Sequence, residues 1–532
     1  MTPPPLRTDL ATRSRYSQGA GIYRLIPAAV ARPTTGGELA AVLAAARDRG
    51  LTVTPRGAGS GMAGANVTTG LVLDLTGLDS RRCRIDPAGR RASLSPAVPL
   101  ATLNRAAAPH GLRLPVDPSS AAWATLGGMV STNAAGPRSV RSGSMRRWVR
   151  GVSLETADGP LELARGRQPD TNHPVIGRWR DDVEPLLQAF QSSIRARFPR
   201  VRKNSAGYGL DHYLDTRELV DIVAGSEGTL GVITDITLDL EPVPRHRISL
   251  RVAVGDRADL VTHIEAIRLH EPATLEFLDR SFLRLIAGQP LTPERPGLLA
   301  AAAGLLLADF EGDDPPAVFA RASEAASAVQ GSALDVRIAT DDLEIDRLWS
   351  VRHAASPILA GLTDGRRSLQ VIEDGCVPVA RLAEYLDVID EACRAGRIDA
   401  VIFGHAGDGH LHVNLLPDLD DSGWEIRVRA VFDSVSTAVI RLGGTPSGEH
   451  GTGRLRAGLM EELYGVEVVA CFTAIKRAFD PAGFFNPGVI IHDGSDALSR
   501  LKVGTGAAVL PTGMDEYLAA IEKNAAWAKS RW

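Results

Sequence analysis

The chain has 532 residues, of which 44% are hydrophobic and 23% are charged, and its formal net charge is −4. That length is too great for one hydrophobic core and predicts two or three lobes, and the near-neutral charge gives no reason to expect nucleic acid or an acidic membrane surface as a partner. The scattered cysteines, which form no C-x-x-C pair, argue against an iron–sulfur cluster, structural zinc and a disulfide framework; they are Cys83, Cys376, Cys393 and Cys471.

The first residues carry no apolar stretch of the kind that signal peptides need. The longest apolar run, residues 298–310, contains Gly304 and Asp309 and is too short to span a bilayer, so it predicts a core element. We therefore expect a reducing, cytoplasmic location, with a peripheral position at the inner face of the membrane as the alternative.

The first predicted elements lead into a glycine-rich loop. Thr35 and Glu38 are spaced as a capping box, which predicts a helix over residues 35–50. A strand over 51–54 follows, then residues 55–61, Pro-Arg-Gly-Ala-Gly-Ser-Gly, then a strand over 71–75. Glycines let successive N–H groups converge on a phosphate. Such a loop is also typical of an ordinary turn, and no long helix starts here as the dinucleotide fingerprint requires. The apolar stripe of the helix is Leu39, Val42, Leu43 and Ala46.

Two further loops combine small residues with hydroxyl and amide side chains. One covers residues 115–120, Pro-Val-Asp-Pro-Ser-Ser, and 125–136; the other covers 225–234, Gly-Ser-Glu-Gly-Thr-Leu-Gly-Val-Ile-Thr. Each alone is more typical of a structural loop. Three within about two hundred residues favour a large, flat, phosphate-bearing cofactor that lies against exposed backbone.

The rest of the chain predicts a second lobe and a helical end. The prolines at 242 and 244 mark a boundary, and strand and helix patterns follow up to Asn414. We predict a first domain over residues 1–245, an α+β substrate or cap domain over 246–430, a segment over 431–490 that packs back on the first domain, and a tail over 491–532. The tail predicts an amphipathic helix with Met514, Leu518, Ile521 and Ala525 on one face.

The segment 403–414, Phe-Gly-His-Ala-Gly-Asp-Gly-His-Leu-His-Val-Asn, is the most informative in the chain. A buried strand, a turn at Gly-Asp-Gly and a second strand would place His410, His412 and Asn414 on one face, with His405 at the turn. Glu449 and His450 follow between glycines. Two imidazoles and a carboxylate suit a divalent transition metal with a position left open for substrate.

Together these segments resemble the FAD-linked D-2-hydroxyacid dehydrogenases of the vanillyl-alcohol-oxidase-type flavoprotein superfamily, over nearly all of residues 15–490. The resemblance rests on the three loops and on Lys-Asn-Ser-Ala-Gly-Tyr-Gly at 203–209, His-Ala-Gly-Asp-Gly at 405–409, Ser-Gly-Glu-His-Gly-Thr-Gly at 447–453 and Phe-Asn-Pro-Gly at 485–488. It implies an α+β fold, with a two-lobed FAD-binding domain of that type, an α+β cap domain and a C-terminal helical segment.

The resemblance also implies the cofactor residues. Residues 56–61 would wrap the FAD pyrophosphate, and the other two loops would line the rest of the cofactor. No histidine stands in the first loop where some flavoproteins of this fold attach FAD, so the flavin should be non-covalent. The implied cofactor-binding residues are Arg56, Gly57, Ala58, Gly59, Ser60, Gly61, Ser119, Gly127, Gly128, Ser131, Asn133, Gly225, Glu227, Gly228 and Thr229.

For the metal, the resemblance implies His405, His412 and Glu449 as ligands, with zinc or manganese as the ion. His450 would be the base, Asn414 would face the substrate, and Arg352 would grip the substrate carboxylate. Arg352 is equally compatible with an ordinary surface helix. The implied reaction oxidises a D-2-hydroxy acid to the 2-oxo acid by hydride transfer to the flavin.

The sequence departs from the family pattern at two positions. His410 stands where the family usually has asparagine. It could be an extra metal ligand, a substrate contact or a polar filler, and the filler is the favoured interpretation. Relatives acting on hydroxyglutarate carry a lysine near the position of Ile372 or Glu373, and its absence disfavours a second substrate carboxylate. A small or apolar side chain is therefore expected.

The partners and the alternatives remain open. Electrons should pass to a separate acceptor, which would be a quinone, a cytochrome, an electron-transfer flavoprotein or an iron–sulfur partner; a homodimer is compatible with the sequence. Alternatives are an oxygen-using 2-hydroxyacid oxidase, a non-redox transferase like the alkyl-glycerone-phosphate synthases, and a flavin-free partner subunit. A partner could dock at Trp527, Lys529, Arg531 and Trp532, although a packing helix is the favoured interpretation of the tail.

Overall fold

The computed structural model describes residues 6–286, 296–353, 365–524 and 531. Its strands are β1 (Ala29–Ala31), β2 (Val53–Arg56), β3 (Leu71–Asp74), β4 (Cys83–Asp86), β5 (Arg91–Leu94), β6 (Leu112–Arg113), β7 (Val149–Thr156), β8 (Gly159–Ala164), β9 (Val232–Asp239), β10 (Glu241–Pro242), β11 (His246–Val254), β12 (Thr274–Asp279), β13 (Gly304–Gly312), β14 (Ala333–Ala339), β15 (Gly375–Cys376), β16 (Asp399–His405) and β17 (His410–Leu416).

The α-helices are α1 (Leu10–Arg15), α2 (Gly36–Asp48), α3 (Leu100–Ala107), α4 (Leu126–Ser131), α5 (Ser139–Ser142), α6 (Pro174–Arg178), α7 (Glu184–Ala189), α8 (Gln191–Arg197), α9 (Leu210–Thr216), α10 (Val220–Val223), α11 (Leu260–Arg268), α12 (Arg280–Ile286), α13 (Pro296–Ala301), α14 (Pro315–Val329), α15 (Asp342–His353), α16 (Leu382–Gly396), α17 (Trp424–Arg441), α18 (Met460–Tyr464), α19 (Val466–Phe479) and α20 (Met514–Lys523).

The described part of the first lobe contains two larger sheets and the short antiparallel pair of β6 and β10. β1, β3 and β2 form a parallel sheet, and β4, β5, β9, β7 and β8 form an antiparallel one. Helix α2 confirms the predicted capped helix, because the hydroxyl of Thr35 accepts the N–H of Glu38. Its predicted apolar stripe is buried. The strand predicted over 51–54 begins two residues later and includes Pro55 and Arg56, so the glycine-rich loop starts only at Gly57. That strand pairs with β3 along its whole length, which the local pattern could not indicate.

The second lobe is a seven-stranded sheet in the order β14, β11, β13, β12, β16, β17, β15. The hairpin of β16 and β17 confirms the predicted strand–turn–strand unit, and Gly409 closes the turn with a φ of +73°. A Cβ there would lie 2.0 Å from the carbonyl oxygen of Val377. The turn therefore requires glycine for two reasons, the positive φ and the lack of space for a side chain. In this way the hairpin holds His405 directly opposite His410.

The C-terminal helices divide between the two lobes. Helix α17 packs its apolar face into the core of the second lobe, through Trp424, Val428 and Phe432 among others. Helices α18 and α19 pack into the core of the first lobe, through Met460 and Phe472 among others. The predicted division at residue 430 falls inside α17.

The chain beyond residue 490 forms one wall of the molecule beside the first glycine-rich loop. Leu501 bridges Tyr23, Arg24 pairs with Asp515 at 2.6 Å, and Leu518 of α20 packs with Ala20 and Trp123. Arg531 is buried and donates to the carbonyl oxygens of Arg15 and Gln18. Ala525, Trp527, Lys529 and Trp532, which entered the tail predictions, lie outside the described residues. Among the helices that the structure describes, none combines the length and apolar character needed to cross a membrane.

Candidate active site

A cavity of about 820 Å³ lies between the two lobes. The loops of the first lobe line one side, largely with glycine, alanine, serine and threonine, which leaves backbone accessible to a ligand. The predicted metal and catalytic residues line the other side. From the predicted set the cavity brings together Arg56, Gly57, Ala58, Gly59, Ser60, Gly61, Ser119, Gly127, Gly128, Ser131, Glu227, Gly228, Arg352, His405, His412, Asn414, Glu449 and His450.

The first loop is held from behind by Arg56. Its side chain is 2% exposed, and its guanidinium donates to the carbonyl oxygens of Tyr16, Gln18 and Asn66. Gly59 has a φ of +81°, and a Cβ there would lie 2.4 Å from an Arg56 Nη2. The guanidinium therefore supports the loop from its buried side. Any contact between Arg56 and a ligand would come from atoms of Arg56 outside the guanidinium.

Three predicted cofactor residues lie behind the cavity and do not line it. The side-chain oxygen of Asn133 accepts the N–H of Arg146, the N–H of Gly225 donates to the carbonyl of Val130, and the hydroxyl of Thr229 donates to the carbonyl of Ser226. The bond of Gly225 joins the third loop to the second, that of Thr229 closes the third loop on itself, and that of Asn133 ties the second loop to Arg146. A pattern of small polar residues does not distinguish this role from direct contact with a ligand.

Glu227 joins the third loop to the segment that carries the catalytic candidates. Its two carboxylate oxygens accept the N–H groups of Thr452 and Gly453 at 2.7 and 2.9 Å. A Cβ on Gly451 would lie 2.7 Å from this carboxyl carbon, which explains the glycine there. Burial raises the pKa of Glu227 to about 8, against the lowering effect of those N–H groups.

The three predicted metal ligands converge. The Nε2 atoms of His405 and His412 are 3.2 Å apart, and Glu449 Oε1 lies 3.4 Å from the first and 3.5 Å from the second. In a tetrahedral zinc site with bonds of about 2.0–2.1 Å, ligand atoms are separated by about 3.3–3.4 Å. The three side chains therefore fit one divalent ion, with a further position open towards the cavity.

The outer contacts of both imidazoles direct Nε2 towards this point. His412 Nδ1 lies 3.0 Å from the carbonyl oxygen of Glu373, which only accepts, so Nδ1 carries the proton. His405 Nδ1 donates to the carboxylate of Glu276. Burial lowers the pKa of His405, but Glu276 and Glu449 raise it above the usual value, which favours a proton on its Nε2 when no metal is bound. A metal ion would take the place of that proton.

Glu449 is held from its other side by Lys203. The Lys203 ammonium donates to Glu449 Oε2 at 2.9 Å, lies 3.6 Å from Asp408 and is almost fully buried. Burial opposes ionisation of Glu449, yet Lys203 and His405 lower its pKa well below the usual range. The carboxylate is therefore charged and oriented before any metal arrives.

His450 lies beside this centre. Its Nδ1 is 2.7 Å from Glu373 Oε2, and its ring stacks on His412 with centroids 5.5 Å apart. Burial lowers the pKa of His450, but the carboxylates of Glu373 and Asp374 raise it to about 10. The charge of a divalent ion next to Glu449 would oppose that rise and so favour the neutral ring that a base requires.

His410 is fully buried behind the centre and does not line the cavity. Its Nε2 lies 2.9 Å from Asp374 Oδ1. Asp374 also accepts the backbone N–H groups of Glu449 and His450. Its Nδ1 has no hydrogen-bond partner among the described residues, and one of its nitrogens is within 4.8 Å of the three converging atoms, so the extra-ligand and the polar-filler interpretations both stay open.

Arg352 reaches the same cavity from α15. Its Nε donates to Glu276 Oε2 at 2.8 Å, and its guanidinium carbon lies 4.5 Å from the centre of the Phe403 ring. These contacts are not those of a solvent-exposed surface arginine, which was the alternative from sequence. Asn414 accepts hydrogen bonds from Ser368 and Gln370.

Sequence reasoning assigned no role to Glu276, Lys203 or Glu373. Glu276 stands between Leu275 and Phe277 in the buried strand Thr-Leu-Glu-Phe-Leu-Asp, and a carboxylate flanked by large apolar residues was the available signal. Lys203 belongs to one of the motifs that carry the family resemblance, but the sequence did not indicate which residue it contacts. Glu373 occurs where the expected lysine was missing, and only the fold places it on His450 and Arg456.

Two family models match the chain. One describes an FAD binding domain and covers residues 27–163; the other describes the C-terminal domain of FAD linked oxidases and covers residues 243–490. The D-lactate dehydrogenase of Archaeoglobus fulgidus is 32% identical over 465 residues, which is 87% of this chain and 91% of that protein.

Other relatives are more distant. The glycolate oxidase subunit GlcD of Bacillus subtilis is 29% identical, covering 88% of this chain and 89% of its own. The D-2-hydroxyglutarate dehydrogenase of Pseudomonas putida is 27% identical, and the match spans 91% of this chain but half of that longer protein. A solved structure of alkyldihydroxyacetonephosphate synthase is similar with a TM-score of 0.61, at 15% identity and with 91% of this chain and 82% of that one covered. That likeness shows the shared fold.

Proposed function

Because the chain belongs to the family of FAD-linked 2-hydroxyacid dehydrogenases, which act on CH–OH donors, we propose that it oxidises a D-2-hydroxy acid to the 2-oxo acid with non-covalent FAD and one divalent metal ion. The family and the vanillyl-alcohol-oxidase-type FAD-binding fold predicted from the sequence are both confirmed. The metal, the residue roles, the substrate and the acceptor are proposals.

One observation supports the proposal most directly. The converging atoms of His405, His412 and Glu449 lie in the same cavity as the cofactor loops, and Arg352 and His450 line it too. A 2-hydroxy acid needs a carboxylate partner, a Lewis acid or other partner for its hydroxyl, a base and a hydride acceptor within one enclosed space. The cavity offers groups suited to each.

Different residues of the cavity would bind the substrate, take its proton and hold the metal. Arg352 would bind the substrate carboxylate, because a guanidinium fork matches the two oxygens. His450 would take the hydroxyl proton at Nε2, since Nδ1 is engaged by Glu373. Asn414 would contact the substrate beside His412. When bound, the metal held by His405, His412 and Glu449 would polarise the hydroxyl, and FAD would accept the hydride from Cα.

The proposed substrate has a small or apolar side chain. Glu373, near the position where hydroxyglutarate-type relatives carry lysine, is an anion paired with Arg456 at 2.6 Å and with His450. A second carboxylate would meet no cation at that position. Arg367, which also lines the cavity, is the first residue to test if a dicarboxylate proves to be the substrate.

Electrons would leave to a separate acceptor, such as a quinone, a cytochrome, an electron-transfer flavoprotein or an iron–sulfur partner. The cytoplasm or the inner face of the membrane is the proposed location, because all four cysteines are free thiols.

The testing experiment is anaerobic bleaching of the flavin by a panel of D- and L-2-hydroxy acids. Bleaching by D-acids with short aliphatic side chains is expected. Preference for L-acids, or for D-2-hydroxyglutarate over D-lactate, would contradict the proposed substrate class. Reoxidation of the reduced flavin by O2 as fast as by a dye acceptor would favour the oxidase alternative.

A further inference from the structure

We propose that Glu276 is a positioning residue that fixes a metal ligand and the substrate-binding arginine in one geometry. The inference rests on the proposed function, because it concerns the metal and substrate assigned to this cavity. Glu276 would neither touch the substrate nor bind the metal. It would link metal binding to substrate binding, because it holds one residue of each site.

Glu276 has two dedicated partners. It lies in the middle of β12, its side chain is 0% exposed, and each carboxylate oxygen has its own donor: Oε1 accepts from His405 Nδ1 and Oε2 from Arg352 Nε at 2.8 Å. The two partners come from distant parts of the chain, at the end of β16 and in α15. One carboxylate thus connects the metal centre to the arginine.

The arrangement fits a charged carboxylate. Burial alone opposes a charge on Glu276, and the hydrogen bonds from His405 and Arg352 offset that cost. A buried carboxylate would be strongly unfavourable if either partner were missing. Both partners are therefore held closely, and each is held at the nitrogen that its proposed task does not require.

That division of atoms carries the inference. Engagement of His405 at Nδ1 directs Nε2 towards His412 and Glu449. Engagement of Arg352 at Nε, with Phe403 under the guanidinium, would leave its terminal nitrogens for a substrate carboxylate. A carboxylate behind a metal-bound histidine fixes the ring and its tautomer, and loss of such a partner lowers metal affinity about 10–100-fold.

The test compares Glu276→Gln with the wild type, both loaded with FAD. Glutamine keeps the volume but carries no charge and offers one acceptor oxygen, so one donor would face an NH2 group and the other would keep only a weaker hydrogen bond to a neutral acceptor. Zn²⁺ affinity, measured by competition with a chromophoric chelator, should fall about 10–100-fold. At saturating Zn²⁺ the KM for the best D-2-hydroxy acid should still rise, by about tenfold, because Arg352 has lost a charge-assisted hydrogen bond.

Two comparison variants separate the roles. Arg352→Met removes the substrate contact directly, so KM should rise more than in Glu276→Gln, whereas His405 keeps its bond to Glu276 and Zn²⁺ affinity should fall less than in Glu276→Gln. Asp279→Asn makes the same chemical change at a buried carboxylate three residues along the same strand, whose partners are Arg257 and Ser281. It should change neither Zn²⁺ affinity nor KM. Should Glu276→Gln fail to retain FAD, Glu276→Asp keeps the charge but withdraws it by one methylene, and the same two losses are expected.

The outcomes are distinct. Zn²⁺ affinity of the Glu276 variants within threefold of the wild type overturns the link to His405. A lowered affinity with an unchanged KM at saturating Zn²⁺ overturns the link to Arg352. If the wild type itself binds no Zn²⁺ and its flavin is not bleached by any 2-hydroxy acid, the proposed function has failed, and that result is seen before any variant is made.

Discussion

Binding of a divalent metal should stabilise the wild-type protein, and His412→Ala should abolish most of that effect. His412 supplies one of three atoms that lie 3.2–3.5 Å apart. Its removal leaves one imidazole and one carboxylate, and we expect affinity to fall by at least about 100-fold, since even partners behind a ligand are worth 10–100-fold.

The magnitude follows from linkage. At free Zn²⁺ equal to 100 times the wild-type dissociation constant, the free energy of unfolding rises by about 2.7 kcal/mol. At the same Zn²⁺ concentration, a variant that binds 100-fold more weakly gains only about 0.4 kcal/mol. The assay is urea unfolding of chelator-treated, FAD-loaded protein with and without Zn²⁺, with flavin absorbance recorded to confirm that FAD is retained.

His492→Ala is the matched control, because it removes an exposed imidazole whose Nε2 donates to the carbonyl oxygen of Ser495, far from the proposed metal ligands in the chain. It should keep the full stabilisation. A His412→Ala protein that gains as much as the wild type would refute the reasoning, since the ion would then bind elsewhere. A wild type that gains nothing from Zn²⁺, Mn²⁺ or Co²⁺ would refute the metal site.

Three further outcomes are expected. Because Ser60 and not histidine stands in the first loop, acid precipitation should release the flavin into the supernatant, and flavin that stays in the pellet would contradict a non-covalent site. His450→Asn should retain Zn²⁺ and FAD, but its flavin should be reduced by substrate at least about 100-fold more slowly. Anaerobic stopped-flow absorbance measures this rate, and a rate equal to that of the wild type would show that His450 is not the base. The pKa of Glu227 is raised from 4.5 to about 8, so its contribution to stability is complete below about pH 4.5 and is lost as pH rises through about 8, by up to about 5 kcal/mol. Glu227→Gln should flatten that part of the stability–pH curve, and an unchanged slope would show that Glu227 is ionised throughout.

The local features of the site could be predicted from sequence because they depend on short-range rules. The alternation of residues 410–414 and the Gly-Asp-Gly turn fix the hairpin, and the cap of α2 follows from Thr35 and Glu38. Those rules also place His410 and His412 on one face. They do not predict the contact of His410 with Asp374, which lies 36 residues away in the chain and accompanies the burial of His410 behind the cavity.

What could not be predicted depends on pairings across the fold. Glu276 meets His405 across 129 residues and Arg352 across 76, and no periodicity specifies either contact. The family resemblance implied direct contact with a cofactor for Asn133, Gly225 and Thr229 alike. Which loop residues face a ligand and which brace the loop is decided by packing between loops, as the contact of Gly225 with Val130 illustrates.

The wall beyond residue 490 has a consequence for how the protein acquires its cofactor in the cell. Lys502 and Leu518 line the cavity that the first glycine-rich loop also lines, and Lys502 donates its N–H to the carbonyl of Ile22, which is 480 residues earlier. Synthesis runs from the N-terminal end, so residues 20–61 emerge hundreds of residues before this wall does. The cavity is enclosed only once the chain past residue 518 has left the ribosome. The proposed FAD site is therefore completed late in biosynthesis, and we expect chains interrupted before this wall to retain flavin less well than the full chain, even with every glycine-rich loop in place.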